Sequence, residues 1–223
     1  FSGCISLTEI TIPNTIDFIS SGAFLGCTGL SSVTIPNSVT TIQNAAFSGC
    51  TSLSSVVIPE SVIYVGEGAF SDCKMLSRIS IPDSITWLNS SIFARCTSLS
   101  DITIPLTVTG IGSWAFAGCT NLNGVSIPDN VTTIQSRAFS GCTSLSSVVI
   151  PESVTYVGER AFADCTNLTD VTMSTQIDTI NSSTFINCTN LSNIKIPDNV
   201  TSIESSVFAG CTSLVSITVP DSV

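Results

Sequence analysis

Cysteine is the residue type in this chain with the widest chemical reach, and its spacing never varies. The ten thiols fall at Cys4, Cys27, Cys50, Cys73, Cys96, Cys119, Cys142, Cys165, Cys188 and Cys211, every gap being 23 residues. An even count can supply disulfides, and thiolates can hold a metal. Zinc sites need close pairs such as C-x2-C, and none occurs. If the chain winds once every 23 residues, the thiols form one inward column with Cα neighbours about 5 Å apart. A disulfide can span that distance, but parallel Cβ vectors are poor geometry for one. A buried free thiol behaves as a small apolar filler. The column therefore reads as a structural thiol ladder, with no cofactor.

A second column is acidic. Directly after each proline position stand Asn14, Asn37, Glu60, Asp83, Leu106, Asp129, Glu152, Thr175, Asp198 and Asp221. Glu60/Asp83, Asp129/Glu152 and Asp198/Asp221 are carboxylate pairs on adjacent units, and hard oxygen pairs are Ca²⁺ ligands. Asp and Asn are equally ordinary turn formers on a solvated edge. Paired carboxylates also suit glycoside hydrolysis in spacing alone, but no apolar pocket or basic partner accompanies them. The chain has no His, which removes the commonest general base and zinc ligand. It has no Gly-rich phosphate loop and no nucleophile–base pair. The reading is not an enzyme. Six Lys and Arg against a net charge of −10 exclude nucleic acid as a partner. No run of 18 apolar residues occurs, so this segment inserts into no membrane as a helix.

The elements that carry these columns repeat with the same period. Phenylalanine recurs from Phe1 to Phe208 with one extra at Phe18, leucine from Leu7 to Leu214, and proline from Pro13 to Pro220 with Ser174 replacing one. The unit reads F-x-G-C-T-x-L-x-x-(V/I)-x-I-P-x-x-(V/I)-x-x-I-x-x-x-A. Its middle alternates apolar residues as a half-buried strand does, and proline ends that strand because it donates no hydrogen bond. A turn follows, then a short extended return such as Val131 to Ile134, then a tight turn or short helix at A-F-x-G-C. Phe47 to Ala69 matches Phe139 to Ala161 at 21 of 23 positions, four units away, which points to growth by copying a four-unit block. Residues 1–223 read as a single solenoid of about ten coils. The start at Phe1 and the mid-motif end at Val223 read as a piece of a longer array without caps.

Two outward columns are candidates for recognition. Thr11, Thr34, Val57, Ser80, Thr103, Ser126, Val149, Thr172, Lys195 and Thr218 alternate out of the core along the sheet. A hydroxyl row of this kind resembles an ice-binding face, but the companion column of Glu9, Ser32, Ser55, Arg78, Asp101, Gly124 and Ser147 is irregular and partly charged. A general interaction face fits better. Phe18, Tyr64, Trp87 and Tyr156 form an intermittent aromatic column with Thr41, Thr133 and Thr179 between them. Such residues either contact glycans and proteins or pack along the return edge. N-x-S/T sequons mark Asn89, Asn130, Asn167, Asn181, Asn190 and Asn199 as candidate N-glycosylation sites, with a seventh at Asn187 beside Cys188.

The unit resembles the BspA-like leucine-rich repeats, the Treponema pallidum type. Cys50, Leu53, Val56, Ile58, Pro59, Val62, Val65, Ala69 and Phe70 carry the whole pattern in one unit. Met173-Ser174 and Gln176-Ile177-Asp178 depart from it. The resemblance implies a leucine-rich repeat arc with a parallel β-sheet on the concave side and short strands, turns or helical turns on the convex side. It implies an extracellular or cell-surface, non-enzymatic module for adhesion and protein interaction. The ligand would be a protein or glycan on the concave face or edges. The alternative is a structural fibre or stalk, built by end-to-end stacking of the chain on itself.

Overall fold

A computed structural model describes residues 1–223. The chain winds as a solenoid whose coils stack through three parallel ladders. The long-strand ladder comprises Glu9–Thr11, Ser32–Thr34, Ser55–Val57, Arg78–Ser80, Ser147–Val149 and Asp170–Thr172. A parallel bridge between Thr103 and Ser126 continues it across the middle coils. The short-strand ladder comprises Phe18–Ile19, Thr41–Ile42, Tyr64–Val65, Trp87–Leu88, Gly110–Ile111, Thr133–Ile134, Tyr156–Val157, Thr179–Ile180 and Ser202–Ile203. Pairings join equivalent positions of adjacent units, 23 residues apart, as in Ser55 with Arg78 and Thr41 with Tyr64.

Strand length follows from the unit's sequence. In Ser55–Val57 the middle Val56 is buried while its neighbours are exposed, the alternation a half-buried strand requires. Ile58 still donates to the Ser80 carbonyl at 3.3 Å, but Pro59 has no N–H and the ladder ends there. The proline carbonyl then closes the turn, accepting from Val62 N at 3.0 Å, and the equivalent bonds recur from Pro36 to Val39 and from Pro151 to Val154.

The third ladder is built from turns. No helix forms; the A-F-x-G-C segment consists of turns on every coil. From Gly22 to Asn187, three alternate amides on each coil donate to the next coil, as Ala45 N does to Glu67 O at 2.8 Å, Phe47 N to Ala69 O at 2.8 Å and Gly49 N to Ser71 O at 2.8 Å. Aiming three amides the same way requires left-handed residues on both sides of the phenylalanine. Ala45 has φ 54° and Gly49 has φ 74°, and the pair recurs on each coil from Gly22 and Gly26 to Ser206 and Gly210.

The long-strand ladder extends over about eight turns, against the ten units in the sequence. Asn193–Lys195 and Ser216–Thr218 carry no strand.

The core is one cluster of 62 buried residues running the length of the array. Its axis is a stack of ten phenylalanine rings, from Phe1 to Phe208, with centroid spacings between 5.1 and 6.1 Å. Each stacked pair adds about 0.5–1.5 kcal/mol beyond burial, so the stack helps to hold coil on coil. The left-handed sites give a direct test. Ala45→Gly removes a Cβ penalty and is expected to stabilise by up to about 1 kcal/mol. Gly141→Ala, at φ 74° with only ordinary contacts near the new Cβ, is expected to destabilise by about 1 kcal/mol or more. Urea-denaturation midpoints moving the opposite way would refute this account of the turn.

Candidate functional site

Nine of the ten cysteines are buried and all ten are free; Cys4 alone is exposed. Each buried thiol donates to the carbonyl of the phenylalanine on the preceding coil, as Cys50 Sγ does to Phe24 O at 3.1 Å and Cys142 Sγ to Phe116 O at 3.3 Å. The same Phe24 carbonyl accepts Cys27 N at 3.1 Å, so both its lone pairs are used. Burial is the main reason the thiols titrate high. Cys50, Cys119 and Cys165 are pushed up to about 12, and Cys96 and Cys142 well above the ordinary thiol range. Such thiols are poor nucleophiles and poor metal ligands. No three Cys, Asp or Glu side chains gather into a group that can hold a metal ion.

The long-strand face is the broad open surface. Thr11, Thr34, Thr103, Thr172 and Thr218 are exposed on it, as are Val57 and Val149. Its largest hollow is a cavity of 650 Å³ beside the departure at Met173-Ser174, bordered by Glu152, Asp170, Thr172, Met173, Lys195 and Asp198. Ser174 replaces the proline with hydrogen bonds: its hydroxyl donates to Val154 O at 2.8 Å and accepts from Gln176 N at 3.0 Å. The acidic column is exposed at Glu60, Asp83, Asp129, Glu152, Asp198 and Asp221. Glu152 is engaged by the next coil, accepting from Thr175 N at 2.9 Å and Thr175 Oγ1 at 2.7 Å.

The aromatic column divides. Phe18, Tyr64 and Tyr156 are nearly half exposed. Trp87 instead lies over Gly110, where an added Cβ would fall 2.0 Å from the indole ring. Trp87 is packing, and its partner must lack a side chain. The sequon asparagines act as brackets between coils. Asn89, Asn130, Asn181 and Asn199 donate Nδ2 to Val65 O, Leu106 O, Val157 O and Ile177 O at 2.6 to 2.9 Å. Asn190 Nδ2 donates to Asn167 Oδ1 at 3.3 Å. Asn130, Asn167, Asn190 and Asn199 are exposed, whereas Asn89 and Asn181 are half-buried.

Two contacts on the turn edge escaped the sequence reading. Arg95 pairs with Asp72 through two hydrogen bonds, Nε to Oδ1 at 2.7 Å and Nη2 to Oδ2 at 2.5 Å. That guanidinium holds the Asp72 carboxyl below the usual carboxylate range. Arg137 stacks over Trp114 with 4.6 Å from guanidinium carbon to ring centroid. Each pair is separated by 23 residues, so the period itself was the signal that could have found them.

Parallel ladders of 23-residue coils around stacked Phe, Cys and Leu columns define a leucine-rich repeat protein. The chain belongs to the BspA type leucine rich repeat family, whose pattern matches residues 1–123 and 110–223. Among solved structures it is similar to a leucine rich cell surface protein from Faecalibacterium prausnitzii, at 31% identity and a TM-score of 0.59, covering 97% of this chain and 74% of that one. It is similar to the leucine rich repeat protein of T. pallidum at 29% identity and a TM-score of 0.56, covering 93% and 78%. The pneumococcal vaccine antigen PcpA shares the fold at 22% identity and a TM-score of 0.66, with 97% and 63% covered. No curated protein matches the chain. No helix is long and apolar enough to cross a membrane.

Three tests follow from this geometry. Thiol alkylation of the native chain is expected to label Cys4 first, with all ten thiols reacting after denaturation; fewer than ten would defeat the ladder. Raised folded-state thiol values contribute stability that is complete below the ordinary value of 9.0 and is lost as pH rises towards about 12. Denaturation midpoints should fall across that window. For the tryptophan, Gly110→Ala is expected to cost about 1–3 kcal/mol by overpacking. Trp87→Thr in the same chain should recover most of it, as read by a double-mutant cycle.

Proposed function

We propose that this chain is a non-catalytic binding module displayed outside the cell, engaging a protein or glycan through its long-strand face and adjoining edges. As a leucine-rich repeat of the BspA type it is a protein-interaction scaffold. The observation that carries the reading is the division of labour between columns. Phe, Cys, Leu and Ile repeat almost without variation inside. Outside, the companion column runs through Glu9, Ser32, Ser55, Arg78, Asp101, Gly124, Ser147 and Asp170, all of them polar or small and none needed for coil stacking. Surface variety over a constant core is what recognition requires and what a uniform fibre does not. The cell-surface description of the F. prausnitzii relative supports placement outside the cell.

The cavity at Glu152, Asp170 and Lys195 is the natural anchor point, because it combines both charge signs with an apolar floor at Met173. Side chains such as Thr172 at its rim point outward. The test is binding of the purified chain to immobilised extracellular-matrix proteins and an oligosaccharide array. Thr103→Arg and Thr172→Arg on the face are expected to weaken binding at least tenfold, while Thr133→Arg on the short-strand ladder leaves it within a factor of two or so. Sedimentation velocity decides against the fibre reading: the chain should run as discrete monomers, and concentration-dependent filaments without any ligand binding would overturn the proposal.

A further inference from the structure

The turn edge carries side chains that its backbone does not favour. Each coil sets two residues at left-handed φ, flanking the stacked phenylalanine. Glycine adopts that conformation freely, and Gly22, Gly26, Gly49, Gly68, Gly118 and Gly141 fill many of these positions. In the middle of the array, large side chains replace it: Arg95 at φ 59°, Trp114 at 61°, Arg137 at 58° and Arg160 at 56°. A bulky residue at positive φ is a genuine outlier, and strain of this kind concentrates at ligand sites. These positions also hold three of the chain's six Lys and Arg, in a protein whose net charge is −10.

The same residues border a cleft. Ser71, Ser91, Arg95, Trp114, Gly118 and Ser140 line a cavity of 520 Å³ on the turn edge, within the range of small-ligand pockets. Arg95 is the one charged residue lining it. Two of its donors are committed to Asp72, which fixes the guanidinium plane. The Nη1 donors remain free for a ligand, on a side chain 65% exposed. Trp114 supplies an amphipathic ring, steadied by Arg137 at 4.6 Å, and is 41% exposed. Backbone amides around the cleft are already spent between coils, as Arg95 N is on Ala117 O at 2.7 Å and Gly118 N on Ser140 O at 2.7 Å.

We infer that this cleft is a saccharide site selective for a carboxylate-bearing sugar. A peptide would need free backbone donors or an apolar side-chain pocket, and the cleft offers neither. A sugar ring needs an aromatic face for its C–H edges and side-chain hydroxyls for its own, which Trp114 and the three serines provide. Its carboxylate needs a charged donor, which Arg95 presents through the free Nη1. The site lies on the turn edge and uses none of the long-strand face, so Thr103→Arg and Thr172→Arg leave it unchanged.

The test uses trigalacturonate as the acidic saccharide, maltotriose as its neutral counterpart and tetraglutamate as an acidic peptide. In a Trp87→Phe background, Trp114 is the only indole left, and its emission reports the cleft directly. Trigalacturonate is expected to change that emission saturably and to bind at least tenfold more tightly than either control. Trp114→Gly and Arg95→Gly, followed by calorimetry, should each weaken binding at least tenfold. Both place glycine where the backbone prefers it, so the thermal midpoint should hold or rise. Absence of a saturable response to trigalacturonate, equal binding of maltotriose or tetraglutamate, or a lowered midpoint in Trp114→Gly would each overturn the assignment.

Discussion

The turn ladder sets the terms for the rest of this structure. Three amides per coil point at the next coil, and they can do so only because two residues per coil accept left-handed φ. Each bond contributes about 0.5–1.5 kcal/mol net, against about 1–2 kcal/mol for a left-handed non-glycine residue. With glycine at one or both positions the three bonds win clearly; with two side chains the balance is close. The ladder holds successive coils without lateral slip, so each phenylalanine meets the one before it and each thiol meets the carbonyl above. The hydroxyl columns obey the same offset. Ser61 reaches Val39 O at 2.7 Å and Thr51 reaches Thr28 O at 3.3 Å, so Ser and Thr serve here as staples between coils as much as solvent-facing residues.

Strict stacking makes neighbouring coils interdependent, and one column shows how. It runs Gln43, Gly66, Asn89, Gly112, Gln135, Gly158, Asn181, alternating a long amide with glycine. An added Cβ at Gly66 would lie 2.3 Å from Asn44 Oδ1, at Gly112 2.6 Å from Leu88 O and at Gly158 2.5 Å from Ser136 N. The long amides then reach back, Asn89 to Val65 O at 2.7 Å and Gln135 to Ser113 N at 3.0 Å. Along this stretch large and small alternate, giving it a repeat of two coils that ends where Glu204 follows Asn181. The 92-residue block is four coils and keeps that alternation intact.

Function therefore has to reside where stacking leaves freedom. Residues facing inward or between coils are held by their neighbours above and below. The long-strand face and the turn edge are not. Along the first, charge and size vary freely from Glu9 to Asp170. Along the second, glycine would suffice, yet Trp114 and three arginines stand there at a cost to the backbone. The two surfaces differ in character: one is broad and polar, the other a small cleft with an aromatic wall. The two proposed sites lie on separate surfaces, so the ligands proposed for them would not compete.

The sequence by itself determined the coil. Cysteine, phenylalanine, leucine and proline at constant spacing specify which residues turn inward, where the strand stops and how coils register, because identical units can stack only like on like. Of the tight turn and the short helix that the A-F-x-G-C segment allowed, the turn formed, since left-handed residues on both sides of the phenylalanine break helical φ. Only the tertiary structure decided what the spare valences do. Cysteine reads as a filler from its type, but its thiol donates to a carbonyl whose position depends on the coil above. Trp87 and Trp114 are the same residue in equally ordinary contexts. One is half-buried over Gly110 and the other exposed beneath Arg137, and the difference lies in which neighbour the winding brings to each. A side chain's partner in a solenoid stands one coil away, so type and local pattern reveal its column but only the stacked coils reveal its contact.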